Sequence, residues 1–130
     1  LNGFPMTIIE FFSDNKSVEE KFYYKKDELI KMSDGSMSFS MVGADRKDRK
    51  IRFLYEHYPA GGDTGENLIS HNGEEVGIVV RGRMEITIGD RVQLLETGDS
   101  FYIDTRIPHR FRNIDQEECE VVTAATPPNF

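Results

Sequence analysis

From Ile51 to Ala125 the chain is interrupted every few residues by Gly, Asp or Pro, and the runs between are short and rich in Ile, Val, Leu, Phe and Tyr. That spacing leaves no room for a helical period and calls for a succession of short strands. The clearest unit is Met84, Ile86 and Ile88 alternating with Glu85 and Thr87. Gly89-Asp90 then supplies residues that tolerate positive φ before Val92, Leu94 and Leu95 continue, so the unit reads as a hairpin. Further strands are predicted over 51–58, 75–81, 100–103, 108–112 and 120–125, at a spacing typical of sandwiches and barrels. The expected fold is therefore all-β.

With 130 residues, the chain has room for one core rather than two. Its hydrophobic 38% is weighted toward residues that suit pleated, half-buried surfaces. The formal net charge of −7 excludes a chain that grips nucleic acid by itself, because neutralising phosphates needs a basic face. Any DNA contact belongs to another domain. The single cysteine, Cys119, has no internal partner for a disulfide, and residues 1–12 lack the pattern of a signal peptide, which together favour a cytoplasmic home. No apolar run approaches the length of a membrane span. Phe4 to Phe12 is predicted as a short helix with Pro5 near its start, followed by a polar stretch from Ser13 to Lys21. Residues 1–20 are accordingly read as an N-terminal linker segment and 21–130 as the β-domain. A start at Leu1 rather than Met fits a piece of a longer protein.

The chemistry-bearing residues gather in two places. His71-Asn72-Gly73-Glu74-Glu75 sets an imidazole and a carboxylate four residues apart where a Gly-bearing turn enters an apolar strand. His109 lies far along the chain, with Pro108 before it and Phe111 two residues after. Two His and one carboxylate match the facial set that holds Fe(II) or Mn(II) with positions left open. The same residues are equally compatible with ordinary hydrogen-bonding roles near turns. The mixed-sign run Asp45 to Lys50 reads as a solvated turn between strands, and Cys119, set among Glu117, Glu118 and Glu120, is a poor nucleophile.

These two segments carry a family resemblance. Gly65 to Glu75, running on to Gly82, resembles the first cupin motif, in which a Glu stands seven residues before a closing Gly. Gly98 to Ile103, then Pro108 to Asn113, resembles the second, including a His followed four residues later by Asn. Two ordered motifs are far more specific than one. The resemblance implies a cupin double-stranded β-helix, or jelly-roll, barrel with a short N-terminal helix or arm. It also implies a divalent ion (Zn, Ni, Mn or Fe) held by His71, Glu75 and His109, or a pocket that works without one. The family commonly has two His separated by one position, and if His71 is the second, Ile69 stands where the first is usual. A ligand is missing from the typical set of three His and one Glu.

The run from Leu54 to Glu66, with His71 to Glu75 and the ending Thr126 to Phe130, resembles more narrowly the C-terminal cupin effector domain of XRE-type helix-turn-helix transcriptional regulators, of the kind that repress putrescine utilisation. That implies a sensor for a polyamine, amino acid or similar metabolite, joined to DNA only through an N-terminal domain. The alternative is a small metal-dependent enzyme, a dioxygenase or isomerase, and fold alone cannot choose between them. Candidate effector contacts are Tyr55, Glu66, Ile69, Gly77 and Phe111. Strand alternation puts Gly77 beside the Glu75 carboxylate and Phe111 on the face of His109, while Glu66 would offer negative charge to a cationic effector. His57 shares a face with Tyr55 and is a candidate substitute for the missing ligand. A homodimer, formed by burying an exposed sheet face against a second copy, is expected.

Overall fold

The computed structural model describes residues 21–64 and 71–128. The predicted helix over residues 4–12 and the linker boundary lie outside the described residues. Nine strands are formed within them: β1 (Ile30–Asp34), β2 (Met37–Val42), β3 (Arg52–Tyr58), β4 (Glu74–Arg81), β5 (Met84–Ile88), β6 (Arg91–Leu95), β7 (Ser100–Asp104), β8 (His109–Arg112) and β9 (Cys119–Thr126). Among the described residues a 3-10 turn, Lys26–Glu28, precedes them.

The strands form two antiparallel sheets, a six-stranded one in the order β1-β2-β3-β9-β4-β7 and a three-stranded one in the order β6-β5-β8. Every strand predicted from Ile51 onward is present, with its bounds moved by a residue or two. The β5–β6 hairpin closes at Gly89-Asp90, with Ile88 opposite Arg91 and Gly89 at φ 62°. The run Asp45 to Lys50 lies in the connection between β2 and β3, with Asp45 and Lys50 exposed.

Strand parity decides what faces inward. On β3 the buried positions are Arg52, Leu54, Glu56 and Tyr58, and on β9 they are Cys119, Val121, Thr123 and Ala125. Met84 and Ile86 of β5 and Phe111 of β8 meet Leu54, Val79 and Val121 of the larger sheet in one apolar cluster. The core therefore lies between the two sheets. One end of it is polar, because Arg52 is in register with Ala125, which is in turn in register with Glu75. The small Ala125 side chain leaves those two charged groups room to approach across β9.

Two residues of the sequence motifs prove to be structural. Gly82 follows β4 at φ 76°, where an added Cβ would stand 2.4 Å from the Glu118 carbonyl oxygen, so the turn admits only glycine without a shift. Asn113 is completely buried, and its side-chain nitrogen donates to the carbonyls of Tyr58 (3.2 Å), Pro59 (3.1 Å) and Glu117 (2.8 Å). Its oxygen accepts from the Asp115 amide at 3.0 Å. Asn113 thus ties the end of β3 to the loop leading into β9.

Candidate functional site

Glu75 points inward from the second residue of β4 and is almost wholly buried, and His109 opens β8 on the opposing sheet. His71 precedes β4, and its amide donates to the Thr105 carbonyl (2.8 Å), while the Thr105 amide donates to the Gly73 carbonyl (3.0 Å). Those bonds fasten the approach to β4 against the β7–β8 loop and bring the two imidazoles to a ring separation of 5.3 Å. One ligand atom from each of His71, Glu75 and His109 lies within 4.8 Å of the others. His109 Nδ1 sits 2.8 Å from the Ile107 carbonyl oxygen. A carbonyl only accepts, so Nδ1 is the donor here, which leaves Nε2 as the nitrogen that a neutral His109 would offer to a metal ion.

These groups line a cavity of about 240 Å³ that reaches between the sheets, with Met37, Phe39, Leu54 and Phe111 as apolar wall. Its polar side holds Asp34, Glu56 and Glu75 against one guanidinium, Arg52, whose Nη2 stands 4.0 Å from Glu75 Oε1. Burial raises Glu75 from 4.5 to about 7; the Glu56 carboxylate adds to the shift and Arg52 opposes it. Glu56 is also raised, chiefly by burial, against the hydrogen bonds it accepts from the hydroxyls of Tyr58 (2.7 Å) and Thr123 (2.8 Å). Burial lowers His71, which favours the neutral imidazole that can act as a ligand. Two imidazole nitrogens and a carboxylate, the last also paired with Arg52, form a donor set that suits a divalent ion.

The structure brings together His71, Glu75, His109 and Phe111. Tyr55 is a correction: β3 parity turns it to the outer face, where its hydroxyl donates to Glu120 at 2.5 Å, away from the cavity. Gly77 does face inward, yet the space beside it is filled, since an added Cβ would lie 2.6 Å from the Phe101 ring. It does not line the cavity. Glu66 and Ile69 lie outside the described residues. His57 shares the outer face with Tyr55 and pairs with Glu118 at 3.1 Å, so it cannot supply the missing ligand. Arg52 and Glu56 were not singled out by the sequence. Their signal was the alternation of β3 itself, which became readable only once Leu54 was known to point inward.

A barrel of two antiparallel sheets with His and Glu side chains converging between them defines the cupin class, and the Cupin domain model matches residues 54–125. The chain belongs to the cupin family. Over its full length it is 34% identical to the HTH-type transcriptional regulator PuuR of Escherichia coli, covering 70% of that protein. Among solved structures it is similar to the cupin domain of an XRE family transcriptional regulator from Enterobacter cloacae (TM-score 0.62, 16% identity, 72% of this chain and 99% of that one). An RmlC-like cupin from Shewanella frigidimarina is similar in fold as well (TM-score 0.70, 14% identity, 85% and 94%). Within the family, then, the chain stands with the effector-binding cupins of transcriptional regulators.

Proposed function

We propose that the cavity senses a small amine-bearing metabolite, a polyamine or an amino acid, and that the chain passes this signal to a DNA-binding domain outside it. The observation that carries the reading is the charge of the cavity: Asp34, Glu56 and Glu75 face a single Arg52. Asp34 stands exposed at the end of β1, while Glu56 and Glu75 are buried, and two buried carboxylates against one guanidinium are costly unless protonated or paired with a cation. An ammonium group relieves that cost. At about 30 Å³ for a water-sized group, the space takes a ligand of about eight non-hydrogen atoms, the size of a short diamine or a small amino acid. The effector acts as a switch only if it binds one arrangement of the protein better than another. A regulator of this kind works in the cytoplasm, and among the described residues no helix is long and apolar enough to cross a membrane.

One divalent ion, Zn, Ni, Mn or Fe, is a second occupant supported by the convergence of His71, Glu75 and His109 within 4.8 Å. Bound there, it would anchor an electron-rich group of the ligand. The same triad is what a small dioxygenase or isomerase would use, and the relatives in the regulator branch weigh against that reading. Elemental analysis of purified protein, joined to thermal melts with polyamines and amino acids, tests the proposal. A melting temperature raised by an amine, with no turnover of it, supports a sensor. Turnover in the metal-loaded form together with no amine-induced shift would transfer the assignment to the enzyme.

A further inference from the structure

Two hydroxyl groups converge on one of the buried carboxylates of the cavity. Glu56 stands between Leu54 and Tyr58 on the inner face of β3, opposite Val121 of β9, and Thr123 lies diagonally across from it, opposite Leu54. The Tyr58 hydroxyl reaches back along its own strand and donates to Glu56 Oε1 at 2.7 Å. The Thr123 hydroxyl donates across the sheet to Oε2 at 2.8 Å. Tyr58, Thr123 and Glu56 are 0%, 1% and 4% exposed, so both bonds lie in the interior, where a hydrogen bond to a charged group is stronger than in water. Glu75 has a different partner, the Arg52 guanidinium at 4.0 Å.

We propose that Tyr58 and Thr123 are positioning residues that fix the Glu56 carboxylate as the acceptor for the amine of the ligand, a role that rests on reading the cavity as an amine sensor. A carboxylate offers two lone pairs on each oxygen. With one on each oxygen engaged by a hydroxyl, turning the group about its terminal bond would break both hydrogen bonds, so its plane is set before a ligand arrives. Glu56 lines the cavity and Thr123 does not, so the carboxylate is held from the β9 side while one lone pair on each oxygen stays available to an N–H donor. An unheld Glu side chain would lose its rotamer freedom on binding, at the expense of affinity. The two hydroxyls also favour the charged form of Glu56, against the opposing effect of burial. Without them the carboxylate would hold a proton more readily, and a neutral acid attracts an ammonium far less.

Isothermal titration with putrescine, spermidine and small amino acids tests the role, at a temperature where circular dichroism melts show every variant folded. Thr123→Val and Tyr58→Phe each remove one hydroxyl and keep the shape of the side chain, and each should raise the Kd of the bound amine at least about tenfold. Thr123→Ser, which puts the hydroxyl back, should recover most of the affinity lost in Thr123→Val. Placed on Glu56→Gln, neither Thr123→Val nor Tyr58→Phe should weaken binding further, whereas a general loosening of the barrel would carry over undiminished. An unaltered chain that binds an amine, with the same affinity in Thr123→Val and Tyr58→Phe, would overturn the positioning role and leave the sensor reading standing. So would a loss that persists in full on Glu56→Gln. Absence of heat from every amine with the unaltered chain would remove the sensor reading and this role with it.

Discussion

Asn113 and Glu75 are both buried polar residues, yet they solve the problem of burial in opposite ways. Asn113 uses both of its amide hydrogens and its oxygen on backbone groups. Asn113→Ala removes that donor from the Tyr58 and Glu117 carbonyls, while Pro59 keeps the Gly62 amide, and should lower stability by about 2–3 kcal/mol, measured as a shift of the urea midpoint. Glu75 has no such set of donors and keeps its proton instead. In the unfolded chain that proton leaves near 4.5, and in the metal-free fold near about 7. Between those values the native state binds more protons, so the contribution is full below the lower value and is lost as pH rises through the upper one. The metal-free protein should be less stable at about pH 8 than at about pH 5, by at most about 3 kcal/mol. Glu75→Gln should flatten that slope in chelator-treated samples. At this scale His71, Glu75 and His109 were legible because a motif spacing marks them. Arg52 and Glu56 were not, since a charged residue on the inner face of a strand inverts the pattern by which inner faces are recognised.

Among the elements, the strands from β3 onward follow from alternation and turn residues, whereas the β1–β2 hairpin shows how a weak pattern escapes notice. Met37, Phe39 and Met41 alternate with Ser38 and Ser40, and Gly35 turns the chain at φ 65°. Methionine and serine carry little strand preference, so the period was present without the composition that usually draws attention to it. The hairpin matters because Met37 and Phe39 supply part of the apolar wall of the cavity and Asp34 part of its charge. Turn chemistry is more demanding than strand composition. Gly82→Ala places a Cβ against the Glu118 carbonyl in a positive-φ conformation, and should cost at least about 2 kcal/mol. Differential scanning calorimetry measures it, with the exposed Gly61→Ala, which meets nothing within 4 Å, as the comparison for φ alone.

For the molecule as a whole, the two sheets divide the work. The space between them holds a small, acidic cavity ending at His71 and His109, and the outer face of the larger sheet leaves Phe53, Tyr55, Val76, Ile78 and Tyr102 exposed. The acidic composition that argues against direct DNA binding is the same property that, concentrated inside, suits the cavity to a cation. The direct test is isothermal titration of the chain with putrescine, spermidine and small amino acids, in metal-free and metal-loaded form. One amine should bind with one-to-one stoichiometry, and Glu56→Gln, with its fold verified by circular dichroism, should weaken it at least about tenfold. Absence of binding heat from every amine, in both forms, would contradict the assignment of this cavity as the sensor.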